Sequence, residues 1–314
     1  MIGPSSATRP PSVTRPRALA PGARVALVAP AGPVDAERIE ASEQRCRALE
    51  LEPVVFPSAS RRARYLAGTD AERLTDLQAA FDDPDVGAVW ALRGGYGTLR
   101  ILERLSLERQ RRDPIPFIGF SDNTSLHARH AELGVVSFHG PHPAGTLAPE
   151  AGEWFRRVLF RAQAAGGLPR TGDGPEPNCL APGAAEGPLV GGNLAILAAM
   201  CGAPHAPGAR GAILFLEDVG EPAYKVDRML LQLERSGALD GVLGLAFGRF
   251  TDGDDAEDIA CVLRELAEKL GVPAVADLPF GHVADNMVLP VGVRARLDAA
   301  AVELTLLEPA VRPG

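Results

Sequence analysis

The residues Ala23 to Pro30 (ARVALVAP) form a short apolar, β-branched run closed by Pro30-Ala31-Gly32-Pro33, a pattern that predicts a buried strand ending in a turn. A helix is expected next, with Asp35 placed to cap it and Ile39, Cys46 and Leu49 near one face. Leu51 to Phe56 reads as a second strand and Asp70 to Phe81 as a second helix. Val86 to Leu92 is a third strand that runs straight into Arg93-Gly94-Gly95-Tyr96-Gly97. A helix over Thr98 to Leu105, a strand over Ile115 to Phe120, and a helix from Ser121 to about Leu133 continue the alternation. Strands alternating with helices predict an α/β fold with a doubly wound parallel sheet, whose sites lie beyond the carboxyl ends of the strands. Both the glycine loop and Ser121 stand at such ends.

The pattern changes after Ala144. Gly166, Gly167, Pro169, Gly172, Gly174, Pro175, Pro177 and Pro182 follow in quick succession, which places a linker over residues 146–188. The chain therefore divides into an N-terminal domain over residues 23–145 and a smaller C-terminal mixed α/β domain over residues 189–314. The second domain opens on Gly191-Gly192-Asn193 and a helix through Met200. A strand over Ala212 to Leu216, ending in Glu217-Asp218, comes next. A helix at Lys225 to Glu234, a strand at Val242 to Phe247 and a helix at Ala256 to Leu270 lead to a loop at Pro279 to Asn286. Two alternating runs, Val293 to Leu297 and Val302 to Leu306, predict antiparallel strands.

A length of 314 residues suits two domains. The net charge of −8 argues against a nucleic-acid partner, since no phosphate-neutralising surface is supplied. A small molecule or peptide fits better. Residues 1–22 are rich in proline and arginine and read as a disordered leader, without the apolar stretch of a secretory signal. No apolar run is long enough for a membrane span. Cys46, Cys179, Cys201 and Cys261 are far apart and lack metal or disulfide spacing, so a reducing cytoplasm is the expected home.

Ser121, between a strand and a helix, would present its hydroxyl where backbone N–H groups favour developing negative charge. The same residue would serve equally as an N-cap. Gly119-Phe120-Ser121-Asp122-Asn123 departs from the G-x-S-x-G elbow of ordinary α/β-hydrolases, because Asn replaces the second glycine. A nucleophilic serine needs a base held in one tautomer by a third group. Six histidines are present, at 127, 130, 139, 142, 205 and 282, and spacing alone does not choose among them. Glu217, at the end of an apolar strand, is the candidate acid, or else a cap. The Arg93 to Gly97 loop fits no phosphate-binding pattern but suits an oxyanion hole, or a tight turn.

Five blocks together resemble the LD-carboxypeptidase family of serine peptidases, which includes the microcin-resistance hydrolases. They are Arg93 to Gly97; Ile118 to Thr124; Gly191-Gly192-Asn193-Leu194; Leu216 to Glu221 with Tyr224, Asp227 and Arg228; and Gly281-His282 with Asn286, Leu289, Pro290 and Gly292. The resemblance implies Ser121 as nucleophile, Glu217 as triad acid and His282 as base, with the N–H groups of Gly95 and Asp122 as oxyanion donors. Gly94, Tyr96 and Asn193 become candidate substrate contacts. It further implies a homodimer, no metal or organic cofactor, and release of the terminal D-alanine of a muropeptide tetrapeptide. Three other functions compete. A microcin-type hydrolase of aminoacyl-nucleotide amides would want an aromatic platform, for which the segment before Pro188 offers only Trp154 and Phe155 on its helical part. A metal-dependent hydrolase could use His127, His130, His139 and His142, although the H-E-x-x-H pattern is absent. A two-domain binding protein would need no convergence of serine, glutamate and histidine.

Overall fold

A computed structural model describes residues 13–171, 174–206, 208–253 and 256–314. The first half alternates as β1 (Arg24–Val28), α1 (Ala36–Ala48), β2 (Glu52–Val55), α2 (Asp70–Asp82), β3 (Val86–Ala91), α3 (Glu108–Arg112), β4 (Phe117–Gly119), α4 (Thr124–Glu132) and β5 (Ser137–His139). The strands are parallel in the order β2-β1-β3-β4-β5. They read as continuous apolar runs because helices cover both faces: Cys46 and Trp90 pack on one side, Leu77, Phe81 and Leu126 on the other. Strand order reverses at β1, so the loops after β1 and β3 diverge there and leave a crevice above the sheet.

The stretch expected to be a linker is structured. It contains α5 (Pro149–Leu159), β6 (Ala164–Gly167), β7 (Asn178–Ala181) and the start of β8 (Ala184–Asn193). Helix α5 buries Trp154 and Phe155 completely, and Phe155 stacks on Trp90 at 5.1 Å. Its apolar stripe turns a segment rich in Gly and Pro into part of the core. Residues 13–22 of the expected leader also pack: Leu19 is buried, Arg15 pairs with Glu308, and Thr14 bridges Val135. The remainder of that leader, residues 1–12, lies outside the described residues, as do Gly172 and Asp173 of the expected linker.

The chain continues through α6 (Leu194–Ala199), β9 (Ile213–Val219), α7 (Ala223–Arg235), β10 (Gly244–Thr251), α8 (Ala256–Leu270), β11 (Ala274–Ala276), β12 (Leu289–Val291), β13 (Arg294–Asp298) and β14 (Glu303–Pro309). A second, mixed sheet runs β6-β14-β13-β8-β9-β10-β11-β7, parallel through β8 to β11 and antiparallel toward both edges. Strand β12 leaves this sheet and pairs antiparallel with β5 of the first. One core therefore runs through both sheets, joining Trp90 and Phe138 to Phe215, Phe280 and Val288. The loop between β11 and β12 is anchored to a different sheet at each end, which fixes its position at their junction. No helix among the described residues is long and apolar enough to cross a membrane.

Candidate active site

Ser121 stands just beyond the end of β4, with Phe120 alone between them, and adopts φ +61°, a left-handed conformation that a residue with a Cβ rarely takes. Its side chain caps neither the short 3₁₀ turn Ser121–Asn123 nor α4, which removes the N-cap reading. The strain is supported by its neighbours. Asp122 is buried, and its carboxylate accepts from the Thr98 N–H and hydroxyl, both at 2.8 Å. Asn123 donates to the Phe120 carbonyl at 3.0 Å and to the Arg93 carbonyl at 3.3 Å. These bonds lace the serine turn to the glycine loop. They also explain why Thr98 to Leu105 is two short 3₁₀ turns, Thr98–Arg100 and Leu102–Arg104, and not the expected helix. Arg73, which the sequence did not single out, is fully buried and donates to the carbonyls of Pro30 and Gly97, tying the β1 loop to the glycine loop.

Gly94 lies against the serine. A Cβ at this position would stand 2.7 Å from Ser121 Cβ and 2.8 Å from its Oγ, which no rotamer of Ser121 in place tolerates. Gly94→Ala should therefore fold normally by circular dichroism yet lose about 10²-fold in turnover, the scale of an ångström-sized displacement at a reacting group. Unchanged turnover would show that Ser121 is not the reacting residue. Gly95, at φ +109°, and Asp122 follow on either side, and neither N–H donates a bond to another loop or turn.

Glu217 lies inside β9, which runs on to Val219 instead of ending at Leu216, and it is fully buried opposite Asn193 of β8. His282 sits on the β11–β12 loop. That loop is closed by the Gly281 N–H donating to Asn286 Oδ1 at 2.9 Å and by the Met287 N–H donating to the Pro279 carbonyl at 2.9 Å. Gly281, at φ +110°, lets the loop approach so closely that a Cβ there would be 2.9 Å from Glu217 Oε2. His282 Nδ1 donates to Glu217 Oε2 at 2.7 Å. Its ring packs on Phe120, the residue before Ser121, with centroids 4.8 Å apart. Among the described residues no hydrogen bond joins the Ser121 hydroxyl to His282 Nε2, and Phe120 is the contact that brings the His282 ring to the residue next to Ser121. Such contacts commonly tighten only when substrate arrives. Burial opposes protonation of His282, but the bond and charge of Glu217, with Asp218 and Asp252, outweigh it and raise the imidazole above its ordinary pKa.

The other histidines are sorted by their partners. His127 bonds Gly119 O and Ser137 Oγ, His130 bonds Leu126 O and Gln110, His142 bonds Ala91 O, and His205 pairs with Glu132. Burial pushes His127 and His130 down to about 3 and about 4, so both are neutral supports of the fold. Among the described residues no three potential ligands converge as a metal site, and the nitrogens of His127 and His130 are already engaged. Asn193, expected at the substrate, is buried. Its Nδ2 donates to Asp218 at 2.9 Å and its Oδ1 caps α6, so its side chain ties β8 and α6 to β9. Tyr96 is exposed within the glycine loop, edge-on to Tyr65 at 5.8 Å. Trp154 and Phe155, being buried, form no platform.

Sequence profiles of the two halves of one family match this chain: the LD-carboxypeptidase N-terminal domain over residues 25–140 and the LD-carboxypeptidase C-terminal domain over residues 186–297. The chain belongs to the LD-carboxypeptidase family. A murein tetrapeptide carboxypeptidase of Pseudomonas aeruginosa is 37% identical over 287 residues, covering 88% of this chain and 93% of that protein. The crystal structure of a muramoyltetrapeptide carboxypeptidase from Oxalobacter formigenes superposes with a TM-score of 0.78 at 32% identity, covering 91% of this chain and 99% of the other. MccF in complex with glutamyl sulfamoyl guanosine superposes with a TM-score of 0.85 at 22% identity, covering 95% and 99%. That last likeness establishes the shared two-domain fold. Membership makes this LD-carboxypeptidase chain a peptidase.

Proposed function

We propose that this chain is a serine LD-carboxypeptidase that releases the terminal D-alanine of murein tetrapeptides, acting in the cytoplasm as a homodimer. The observation that carries the reading is the 2.7 Å bond from His282 to Glu217, with the His282 ring packed on Phe120, the residue before a serine held at positive φ. Glu217 fixes the Nδ1–H tautomer and leaves Nε2 as the acceptor. His282 takes the Ser121 proton as Oγ attacks the carbonyl carbon of the terminal peptide bond. The N–H groups of Gly95 and Asp122 receive the developing oxyanion. The imidazolium then protonates the leaving amine, D-alanine departs, and water resolves the acyl-enzyme by the same base. Incubation with a defined tetrapeptide should yield free D-alanine and the tripeptide, without added metal. A tetrapeptide recovered intact would overturn the reading.

The base works only when neutral. Because His282 is raised above the usual histidine pKa, kcat/KM should climb with pH along an acid limb centred above about 6.5. Glu217→Gln removes the largest influence raising it, so the limb should move to lower pH while the plateau falls by about 10⁴-fold, the scale for a triad acid. An acid limb unmoved by this substitution would separate Glu217 from the base.

One observation favours a second reading, hydrolysis of aminoacyl-nucleotide amides: the exposed Tyr65 and Tyr96 offer a stacking face beside the glycine loop. Turnover of an aminoacyl sulfamoyl adenosine faster than of the tetrapeptide would select it.

A further inference from the structure

His139 ends β5, in register with Gly119 of β4 and with Leu289 of β12. Its side chain is fully buried among Phe120, His127 and Phe215, at centroid distances of 5.8, 5.9 and 5.3 Å. Neither ring nitrogen has a hydrogen-bond partner among the described residues. Every other fully buried histidine, His127 and His130, is satisfied at both nitrogens. A second orphan lies beside it. Glu217 Oε2 accepts from His282 Nδ1, but its Oε1 is buried, accepts nothing from the described residues, and stands 4.0 Å from His139 Nε2.

An unmade hydrogen bond to a buried group is costly, and more so when the group is an ionised carboxylate. Two such groups facing each other are each other's natural partner. A shift of about 1 Å brings Nε2 and Oε1 to ordinary hydrogen-bond distance. We propose that His139 is a positioning residue for the reaction: its neutral ring donates Nε2–H to Oε1 of Glu217 and locks the carboxylate with Oε2 toward His282. The inference rests on the Ser121, His282 and Glu217 reading and adds a fourth member to it. His139 never meets substrate. It acts by halting rotation of the carboxylate about its last bond, so that the tautomer and tilt of the His282 ring are set before substrate arrives. Burial keeps His139 neutral, as a donor beside a carboxylate in this role requires.

Three variants test it, with tetrapeptide turnover as readout. His139→Phe keeps the ring volume and removes the donor; kcat should fall by at least about tenfold, the scale of a hydrogen bond to a charged group, with KM unchanged. His139→Gln can place an amide N–H near the Nε2 position and should recover most of the loss, which a packing role would not do. In a Glu217→Ala background, His139→Phe should cost almost nothing further, because the acceptor is already gone. Full kcat in His139→Phe, or equal losses in His139→Phe and His139→Gln, would overturn the proposal. If Glu217→Gln itself retains full activity, the underlying triad is what fails. Should His139→Phe not fold, NMR of the unmodified protein decides: a His139 Nε2–H resonance shifted downfield and lost in Glu217→Ala supports the bond, and an unchanged one refutes it.

Discussion

Ser121→Ala is expected to lower the rate of D-alanine release by about 10⁶-fold, the scale for removing a triad nucleophile. The substitution deletes one buried-edge oxygen and makes no cavity. Ser121 Oγ holds no bond to the rest of the protein, so the turn should survive; the bonds that hold it belong to Asp122 and Asn123. Alanine still carries a Cβ at φ +61°, so the backbone strain is unchanged. Fold and substrate binding should therefore persist while chemistry stops, with KM within a few-fold of the parent. Progress curves from about 10⁶ times more enzyme would expose the residual rate. Near-normal turnover would remove the serine from the mechanism.

His282→Ala should cost about as much, because a serine hydroxyl without its base stays protonated at neutral pH. The loss should not add to that of Ser121→Ala: the double variant should be no slower than either single one, since the two residues act as a unit. The site also gives the experiment an internal control. Removing the ring opens a space bounded by Phe120 and by Glu217 Oε2, the acceptor left behind. Added imidazole should enter it and restore part of the rate in His282→Ala but none in Ser121→Ala. A His282→Ala variant within tenfold of the parent rate, or equal rescue in both variants, would exclude the imidazole as base.

The parallel sheet was legible because buried parallel strands must be apolar throughout, as Val25 to Val28 and Val86 to Ala91 are, with loops that carry the chemistry. The corner at Ser121 was legible for the same reason: an apolar run stops and four small polar residues start. The choice of His282 came from the family resemblance and not from its spacing. Its proposed role depends on β12 crossing to the other sheet, a pairing between residues 137–139 and 289–291 that leaves no local trace. The segment over residues 146–188 misled because its glycines and prolines lie between short strands, while the stripe of Trp154, Phe155 and Val158 that buries α5 occupies barely two turns. Glu217 was placed one step out of position: a carboxylate normally ends a strand, and only the partner His282 makes it tolerable within one. Arg73 reads as an ordinary solvent-facing helix arginine, and only the loop carbonyls of Pro30 and Gly97 show otherwise.

Labelling with a serine-directed fluorophosphonate, followed by peptide mass spectrometry, tests the activation of Ser121 most directly. A single adduct on Ser121, formed in the parent protein and slowed by orders of magnitude in both His282→Ala and Glu217→Gln, is the expected result. An unlabelled Ser121, or labelling at the same rate in all three proteins, would contradict it.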